Sequence, residues 1–249
     1  MHPSMYLLTL KFVLFDFAPH TVSSESCDAI ADIRKKIQRI SKNKILFMDE
    51  VSVKLNEQQN YTIVLPGEKP NVIATDTTSY SKRFDMIACC NGERVLPPII
   101  FTPKDRVSQG VKGITKQMLE RAVDDILAQA VGAPDVYPVC LVVDKASIHK
   151  QDIIQVFHDR GCQDLQQVLF MPTQAAKRLS PLDNALFHIW KERVRKHAPL
   201  TEDNVVNVMS NEWNNISSRY IRSQYRKCGL VGYIDPYFDC PQPAVHQHN

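Results

Sequence analysis

The chain has 249 residues, of which 44% are hydrophobic and 23% charged, and 30 basic against 27 acidic residues give a formal net charge of +3. A chain of this length and composition can bury a core of its own, which excludes an intrinsically disordered protein. No stretch reaches the roughly 20 apolar residues that a membrane-spanning helix needs, so we expect no membrane partner.

The first predicted elements are a helix and a strand. Apolar residues recur every three or four positions over residues 25–40, which predicts an amphipathic helix with a basic outer face. An apolar run over 44–48 leads into Asp49, and an alternating stretch over 51–55 follows closely. We read this as a strand with a carboxylate at its end.

A hairpin is predicted next, because Asn91-Gly92 separates two apolar runs, 84–90 and 95–102. Pro97-Pro98 in the second run predicts an irregular or edge strand, since proline cannot donate a ladder hydrogen bond.

Helices and strands alternate in the second half. Residues 139–143 form a continuous apolar run, typical of a strand buried on both faces, and the run ends at Asp144. The other predicted elements are a helix over 115–131, a helix over 150–159, a strand over 167–171, a helix from Asp183 to about Lys196, and a helix from an N-cap at Thr201 to about Trp213.

This order of elements predicts an α/β fold with a mixed sheet flanked by helices. We divide the chain into an N-terminal extension with one basic amphipathic helix (1–43), a central α/β domain (44–231) and a loose C-terminal tail (232–249).

Three acids stand out by their positions: Asp49 and Asp144 where strands end, and Asp183 at the start of a helix. Buried carboxylates are costly unless a cation lies between them, and oxygen-rich clusters suit Mg²⁺ or Mn²⁺. Two such ions can activate water and stabilise the leaving oxygen of a phosphodiester. Ordinary strand-end and N-cap aspartates are the alternative interpretation.

The segments around these acids resemble the DDE transposases and integrases, specifically the mariner/pogo group. Residues 45–50 (Ile-Leu-Phe-Met-Asp-Glu) look like that family's apolar strand ending in Asp-Glu. Residues 141–149 resemble its second strand, with Ser147 and His149 after the acid, and residues 179–183 (Leu-Ser-Pro-Leu-Asp) are close to the pogo-type Gln-Pro-Leu-Asp. Between the first two, residues 96–101 followed by Lys104 resemble the strand after the family's hairpin.

The resemblance implies a ribonuclease H-like fold and an enzyme that cuts and joins DNA with two Mg²⁺ ions, for which Mn²⁺ can substitute. It implies that Asp49, Asp144 and Asp183 are catalytic metal ligands, and it places His149 near the site as a phosphate or transition-state contact. Lys145 stands where the family usually has Asn, and an ammonium between the carboxylates would compete with the metal.

Basic residues form three clusters along the chain, although solvated helix faces would give the same pattern. The resemblance implies that the basic residues after Asp183, in the second cluster, contact DNA phosphates beside the site. This cluster consists of Lys177, Arg178, Lys191, Arg193, Arg195 and Lys196, and its last four members are the predicted DNA-binding residues. The other clusters are Arg34, Lys35, Lys36, Arg39, Lys42 and Lys44, and Arg219, Arg222, Arg226 and Lys227.

Seven cysteines without a CxxC pair predict reduced thiols, with Cys140 as a core residue, in the cytosol or, for a protein acting on DNA, the nucleus. No GxGxxG or GxxxxGK loop is present, so no small-molecule cofactor is expected. Family members act as dimers, which suggests a possible homodimer with DNA as the partner.

Only 48 residues precede Asp49, which leaves too little room for the family's helix-turn-helix reader. The sequence therefore resembles a catalytic domain without its DNA reader. Two alternatives stay open at this point: a catalytically dead or domesticated nucleic-acid-binding protein, and a ribonuclease H-like nuclease acting on RNA–DNA hybrids.

Overall fold

The computed structural model describes residues 24–55, 82–130, 137–145, 152–172, 175–232 and 234–240. Five strands form one sheet: β1 (Ile45–Lys54), β2 (Arg83–Cys90), β3 (Ile99–Phe101), β4 (Cys140–Asp144) and β5 (Gln167–Met171). Their order across the sheet is β3-β2-β1-β4-β5. The three strands β1, β4 and β5 run parallel, and β2 and β3 join antiparallel to β1.

Eight helices are described: α1 (Ser24–Ile37), α2 (Pro103–Ser108), α3 (Lys116–Ala130), α4 (Ile153–Asp159), α5 (Ala176–Leu179), α6 (Phe187–Arg195), α7 (Val205–Asn214) and α8 (Ser218–Lys227). A 3₁₀ turn, Lys42–Lys44, precedes β1, and a π-helical turn, Leu182–Leu186, leads directly into α6. No helix in these parts of the chain combines the length and the apolar character needed to cross a membrane.

Helices cover both faces of the sheet. Ile45 and Phe47 point from β1 into a core shared with α1 and α5 to α8, whereas Leu46 and Met48 point into a second core under α3 and α4. Successive side chains of a strand alternate between faces, so a strand buried on both sides reads as a continuous apolar run. This explains the burial of β4, including the predicted core residue Cys140.

The strand β1 is longer than the sequence suggested. Ile45–Lys54 is one continuous strand, so Asp49 lies in its middle rather than at its end. Its backbone pairs with Ala88 of β2, while the ladder between β1 and β4 stops at the pair Phe47 and Val142. The apolar run and the alternating stretch are two parts of this one strand. Their patterns differ because the first part, beside β4, is buried on both faces, whereas the second part is less covered.

The predicted hairpin is confirmed, with a wider turn than a two-residue Asn-Gly loop. The Asn91 N–H donates to Arg94 O at 3.0 Å, and β3 begins only after Pro97-Pro98, at the edge of the sheet as predicted. A Cβ on Gly92 would lie 2.5 Å from Lys42 Cβ. Glycine is therefore required here by the close approach of the 3₁₀ turn.

The last two helices correct the prediction for the region after Lys196. Helix α7 starts at Val205 with Asn204 as its N-cap, so Thr201 is not the cap; it lies in a preceding turn, where its N–H donates to Asn204 Oδ1 at 2.9 Å. A separate helix α8 follows, and the Ser217 hydroxyl accepts from Tyr220 N–H at 3.3 Å as its N-cap.

Both tryptophans are core residues, as predicted. Trp190 and Trp213 are fully buried, with ring centroids 6.4 Å apart in an edge-to-face arrangement. The Trp213 indole N–H donates to Leu96 O at 2.9 Å, which ties α7 to the hairpin. Each ring thus contributes apolar burial, and its polar N–H is satisfied.

Residues 234–240 are attached to α1, although we predicted a loose segment from Gly232 onward. Asp239 forms an ion pair with Arg34 at 2.6 Å, and the Tyr237 hydroxyl donates to Asp28 Oδ1 at 3.0 Å. Residues 241–249 lie outside the described residues, and the domain limits stay a prediction.

Candidate active site

Asp49 and Asp144 lie side by side on neighbouring parallel strands. The register pairs Phe47 with Val142, and each acid lies two residues further on. Both side chains point to the face that α1 and α5 to α8 cover, since residues two apart in a strand share a face. Adjacent strands are about 4.8 Å apart, so the two carboxyl groups reach the same space.

Asp183 reaches the same place from the first turn of the helix that continues as α6. Ser180, which is fully buried, accepts a hydrogen bond from Asp183 N–H at 3.2 Å, and the Asn184 N–H donates to Ser180 O at 3.0 Å. Ser180 thus acts as a cap, and Pro181 suits the first helical position. The helix N-terminus favours a carboxylate, and the π-helical turn packs against β1.

The carboxyl groups of Asp49 and Asp183 lie close enough for each to affect the pKa of the other. Burial, followed by repulsion from Asp183 and from two further carboxylates, Glu50 and Asp144, raises the pKa of Asp49 to about 8, although its Oδ1 accepts from Glu50 N–H at 2.8 Å. Asp49 therefore keeps its proton to a higher pH than an ordinary aspartate does.

The pKa of Asp183 is also raised, mainly by burial and by repulsion from Asp144, while the hydrogen bond from Asp49 and the charge of Lys177 oppose the rise. Lys177 is exposed on α5. The sequence placed it in a basic cluster without a role, because only the packing of α5 brings it near the acid.

Asp49, Asp144 and Asp183 therefore lie near one another, but they do not form a closed cage. Among the described ranges, no group of three or more His, Cys, Asp or Glu side chains is arranged to hold a metal ion. The donor set nevertheless fits Mg²⁺ or Mn²⁺, since it consists of carboxylate oxygens without thiols or imidazoles. Burial and mutual repulsion raise the pKa of Asp49 and Asp183, and a divalent cation between the carboxylates would oppose both effects.

The other predicted site residues differ in their exposure and in their contacts. Lys145 is exposed, so its side chain extends toward solvent rather than being buried between the carboxylates. His149 lies outside the described residues. On α6, Arg195 pairs with Glu192 at 3.0 Å and Arg193 donates to Asn215 O at 3.3 Å. Lys191 is half-buried and Lys196 is exposed, and contact of these four residues with DNA stays a prediction.

Asp49→Asn is expected to stabilise the metal-free protein at pH 8. The folded carboxyl group binds its proton more tightly than the unfolded one, so the free energy of unfolding of the wild type falls as pH rises from about 4 to about 8. The neutral amide of Asn does not titrate, so the variant keeps its stability as pH rises. We expect its free energy of unfolding to exceed that of the wild type by about 1 to 2 kcal/mol at pH 8 and by almost nothing at pH 4. Urea unfolding in EDTA at both pH values measures it.

Asp124→Asn is the matched control, because Asp124 forms an exposed ion pair with Arg160 on the opposite face of the sheet. Parallel pH curves for Asp49→Asn and the wild type would contradict the protonation of Asp49.

A family model described as DDE superfamily endonuclease matches residues 44–206, which is more than half of the chain. This match contains β1 to β5 and all three aspartates. None of the curated protein sequences matches the chain.

Several solved structures are similar. The Mos1 transposase paired-end complex with left transposon end has 12% identity and a TM-score of 0.64 over 89% of this chain and 64% of that chain. A pre-cleavage Mos1 transpososome has 10% identity and a TM-score of 0.66 over the same shares, 89% and 64%. The Mos1 transposase catalytic domain with raltegravir and Mg has 10% identity and a TM-score of 0.56 over 84% of this chain and 92% of that chain.

At such identities the similarity shows the fold. The mixed five-stranded sheet with helices on both faces is ribonuclease H-like, as predicted. The chain spans less than two thirds of the length of the first two transposase chains, 64% of each.

Proposed function

Because the chain belongs to the DDE superfamily of endonucleases, we propose that it cuts DNA strands in a metal-dependent reaction and transfers the cut ends to target DNA. The observation that carries the proposal is the meeting of Asp49, Asp144 and Asp183, from two strands and a helix start, in one partly buried site. The motif around Asp183 supports a place in the mariner/pogo group.

The three aspartates would hold two Mg²⁺ ions, which supply charge neutralisation and an activated water at a phosphodiester. This use of Mg²⁺ is supported by the similar catalytic domain that was solved with Mg. The chain's own contribution is positioning: the ladder between β1 and β4 sets the spacing of Asp49 and Asp144, and the cap at Ser180 directs Asp183 toward them. Asp49 must release its proton to become a ligand, and the cation favours that release.

The proposed reaction is a pair of in-line displacements at phosphorus. Water attacks first and frees a 3′-hydroxyl, which then attacks a phosphodiester of the target. We also propose that the chain binds DNA, with phosphate contacts from α6. In the same proposal it forms a homodimer and acts in the nucleus. Lys145 occupies the position where the family usually has Asn. Because its side chain is exposed, it is compatible with metal binding at the aspartates, and this weakens the argument that the site is catalytically inactive.

Nicking of supercoiled plasmid tests the proposal, because non-specific nicking needs no sequence reader. The purified chain is expected to nick plasmid in Mn²⁺ and not in EDTA, and Asp144→Ala is expected to be inactive under both conditions. Equal nicking by the wild type and Asp144→Ala would show a contaminating nuclease, and no nicking by either would favour the binding-only alternative.

A further inference from the structure

Helix α8 carries an exposed basic face that the proposed site does not use. Its inner face, formed by Ile221, Gln224, Tyr225 and Cys228, is buried against the sheet. The Tyr225 hydroxyl contacts Cys90 O at 3.2 Å and Ile45 O at 3.4 Å, so the helix is held firmly. The outer face presents exposed Arg219, Arg222, Arg226 and Lys227.

These four cations have no hydrogen-bond or ion-pair partner within the described part of the chain, and no acid occurs in the sequence of α8. The other basic helices differ: Lys36 pairs with Asp32 on α1, Lys116 with Glu120 on α3, and Arg195 with Glu192 on α6. An ordinary solvated helix face therefore carries compensating acids in this protein, and α8 does not.

The arrangement is unfavourable for the isolated chain. Arg222 and Arg226 are four residues apart and Arg219 and Arg222 three apart, spacings at which like charges repel across a helix surface. Arg219 also lies in the first turn, where the helix dipole disfavours a cation. An anionic partner would relieve both effects.

Charge and spacing identify the kind of partner. Arg219 and Arg226 are separated by about 10 Å along the helix axis, a length over which duplex DNA carries about six phosphates. Guanidinium groups suit phosphate oxygens because their donors form a planar fork. The inner face of α8 also packs against the π-helical turn that carries Asp183, so the helix belongs to the same layer as the third acid.

We propose that the outer face of α8 is a phosphate-binding surface that holds duplex DNA without reading its sequence. This inference rests on the proposed function in that it takes DNA as the substrate, but its test does not depend on cleavage. It assigns DNA affinity to a helix distinct from α6.

The test is binding of the full chain to a labelled duplex of arbitrary sequence and about 20 base pairs, by fluorescence anisotropy in EDTA between about 50 and 200 mM KCl. The triple variant Arg219→Gln, Arg222→Gln, Arg226→Gln is expected to bind roughly tenfold or more weakly. Its slope of log K against log salt should be shallower by about 2 to 3, since each lost phosphate contact removes about 0.9.

A matched triple variant, Lys104→Gln, Lys112→Gln, Arg121→Gln, removes the same charge from exposed positions on α2, the loop before α3, and α3. It should keep the wild-type affinity and slope. Replacing the three arginines of α8 by lysine should restore most of the affinity. Thermal unfolding should show every variant folded, with the α8 glutamine variant at least as stable as the wild type because it lacks the repulsion.

Three results would overturn the proposal. The α8 variant could keep the wild-type salt slope, or the matched variant could lose as much DNA affinity as the α8 variant does. The third is that the α8 variant loses affinity for a poly-glutamate peptide as strongly as for DNA. A chain that binds through α8 but does not nick plasmid would contradict the proposed activity alone. A chain that nicks plasmid but binds independently of α8 would contradict only this surface.

Discussion

Asp183→Asn is expected to lower Mn²⁺-dependent nicking by about three orders of magnitude or more, while the fold is retained. The amide keeps the size of the side chain and removes the negative charge that a divalent cation needs. Asp49 and Asp144 both affect the pKa of Asp183, which places the Asp183 carboxyl group where the cation would bind. Single-turnover nicking of supercoiled plasmid measures the loss.

Asp144→Asn should have a similar effect, and the double variant should be hardly slower than either single one. Groups that act as one unit show strongly non-additive losses, because removing the first already disables the site. Additive losses would indicate that the two acids act separately. Asp124→Asn on the opposite face and Lys145→Ala at the exposed position should both nick at the wild-type rate.

Arg34→Ala is expected to cost about 3 to 5 kcal/mol of unfolding free energy, the largest effect on stability that we predict. The Arg34 side chain is fully buried in α1 and forms a two-point ion pair with Asp239 at 2.6 and 3.0 Å. It also donates to Cys228 O at 3.0 Å and Pro236 O at 2.8 Å. Removing it leaves a partly buried carboxylate and two carbonyl groups without their donors.

Urea unfolding measures this loss, and Arg39→Ala at an exposed position in the turn after α1 is the control, with an expected change below about 0.5 kcal/mol. Arg34→Lys should recover only part of the stability, because an ammonium cannot reproduce the planar fork. Burial alone would raise the pKa of Asp239, but Arg34 and Arg178 hold it below its ordinary value. The contribution of the Asp239 carboxylate to the free energy of unfolding is therefore present above about pH 4 and is lost as pH falls.

The contact between Arg34 and Asp239 also bears on the site. Arg178 donates to Asp239 O at 2.6 Å, and Arg34 donates to Arg178 O at 3.4 Å. The C-terminal segment therefore holds α5, the helix that carries Lys177 and leads through Ser180 to Asp183. We expect variants at Arg34 to lower activity through the position of these groups, together with stability.

The sequence misassigned Arg34 for an identifiable reason. It lies among Lys35, Lys36 and Arg39, and the composition of the cluster predicted a solvated basic face. Those three side chains are exposed, but Arg34 faces Asp239, which is 205 positions away in the chain. No local signal marks a cation whose partner is so distant.

Most elements of the sheet could be predicted because their signals are local. The continuous apolar run of β4, the run of β5 and the two arms of the hairpin all depend on neighbouring residues, and the structure confirms them. Errors occurred where tertiary packing overrides the pattern. The division of β1 at Asp49 is one case, and the N-cap assigned to Thr201 is another.

What the sequence by itself determined is the set of elements, the ribonuclease H-like class of the sheet and the three acids with the motifs around them. Only the tertiary structure decided that burial and Asp183 raise the pKa of Asp49, that the charge of Lys177 acts on Asp183, that Arg34 is buried and that α8 turns an uncompensated basic face outward. The physical reason is that hydrophobic periodicity is set by neighbours in the chain, whereas pKa values, ion pairs and exposure are set by groups that only packing brings together.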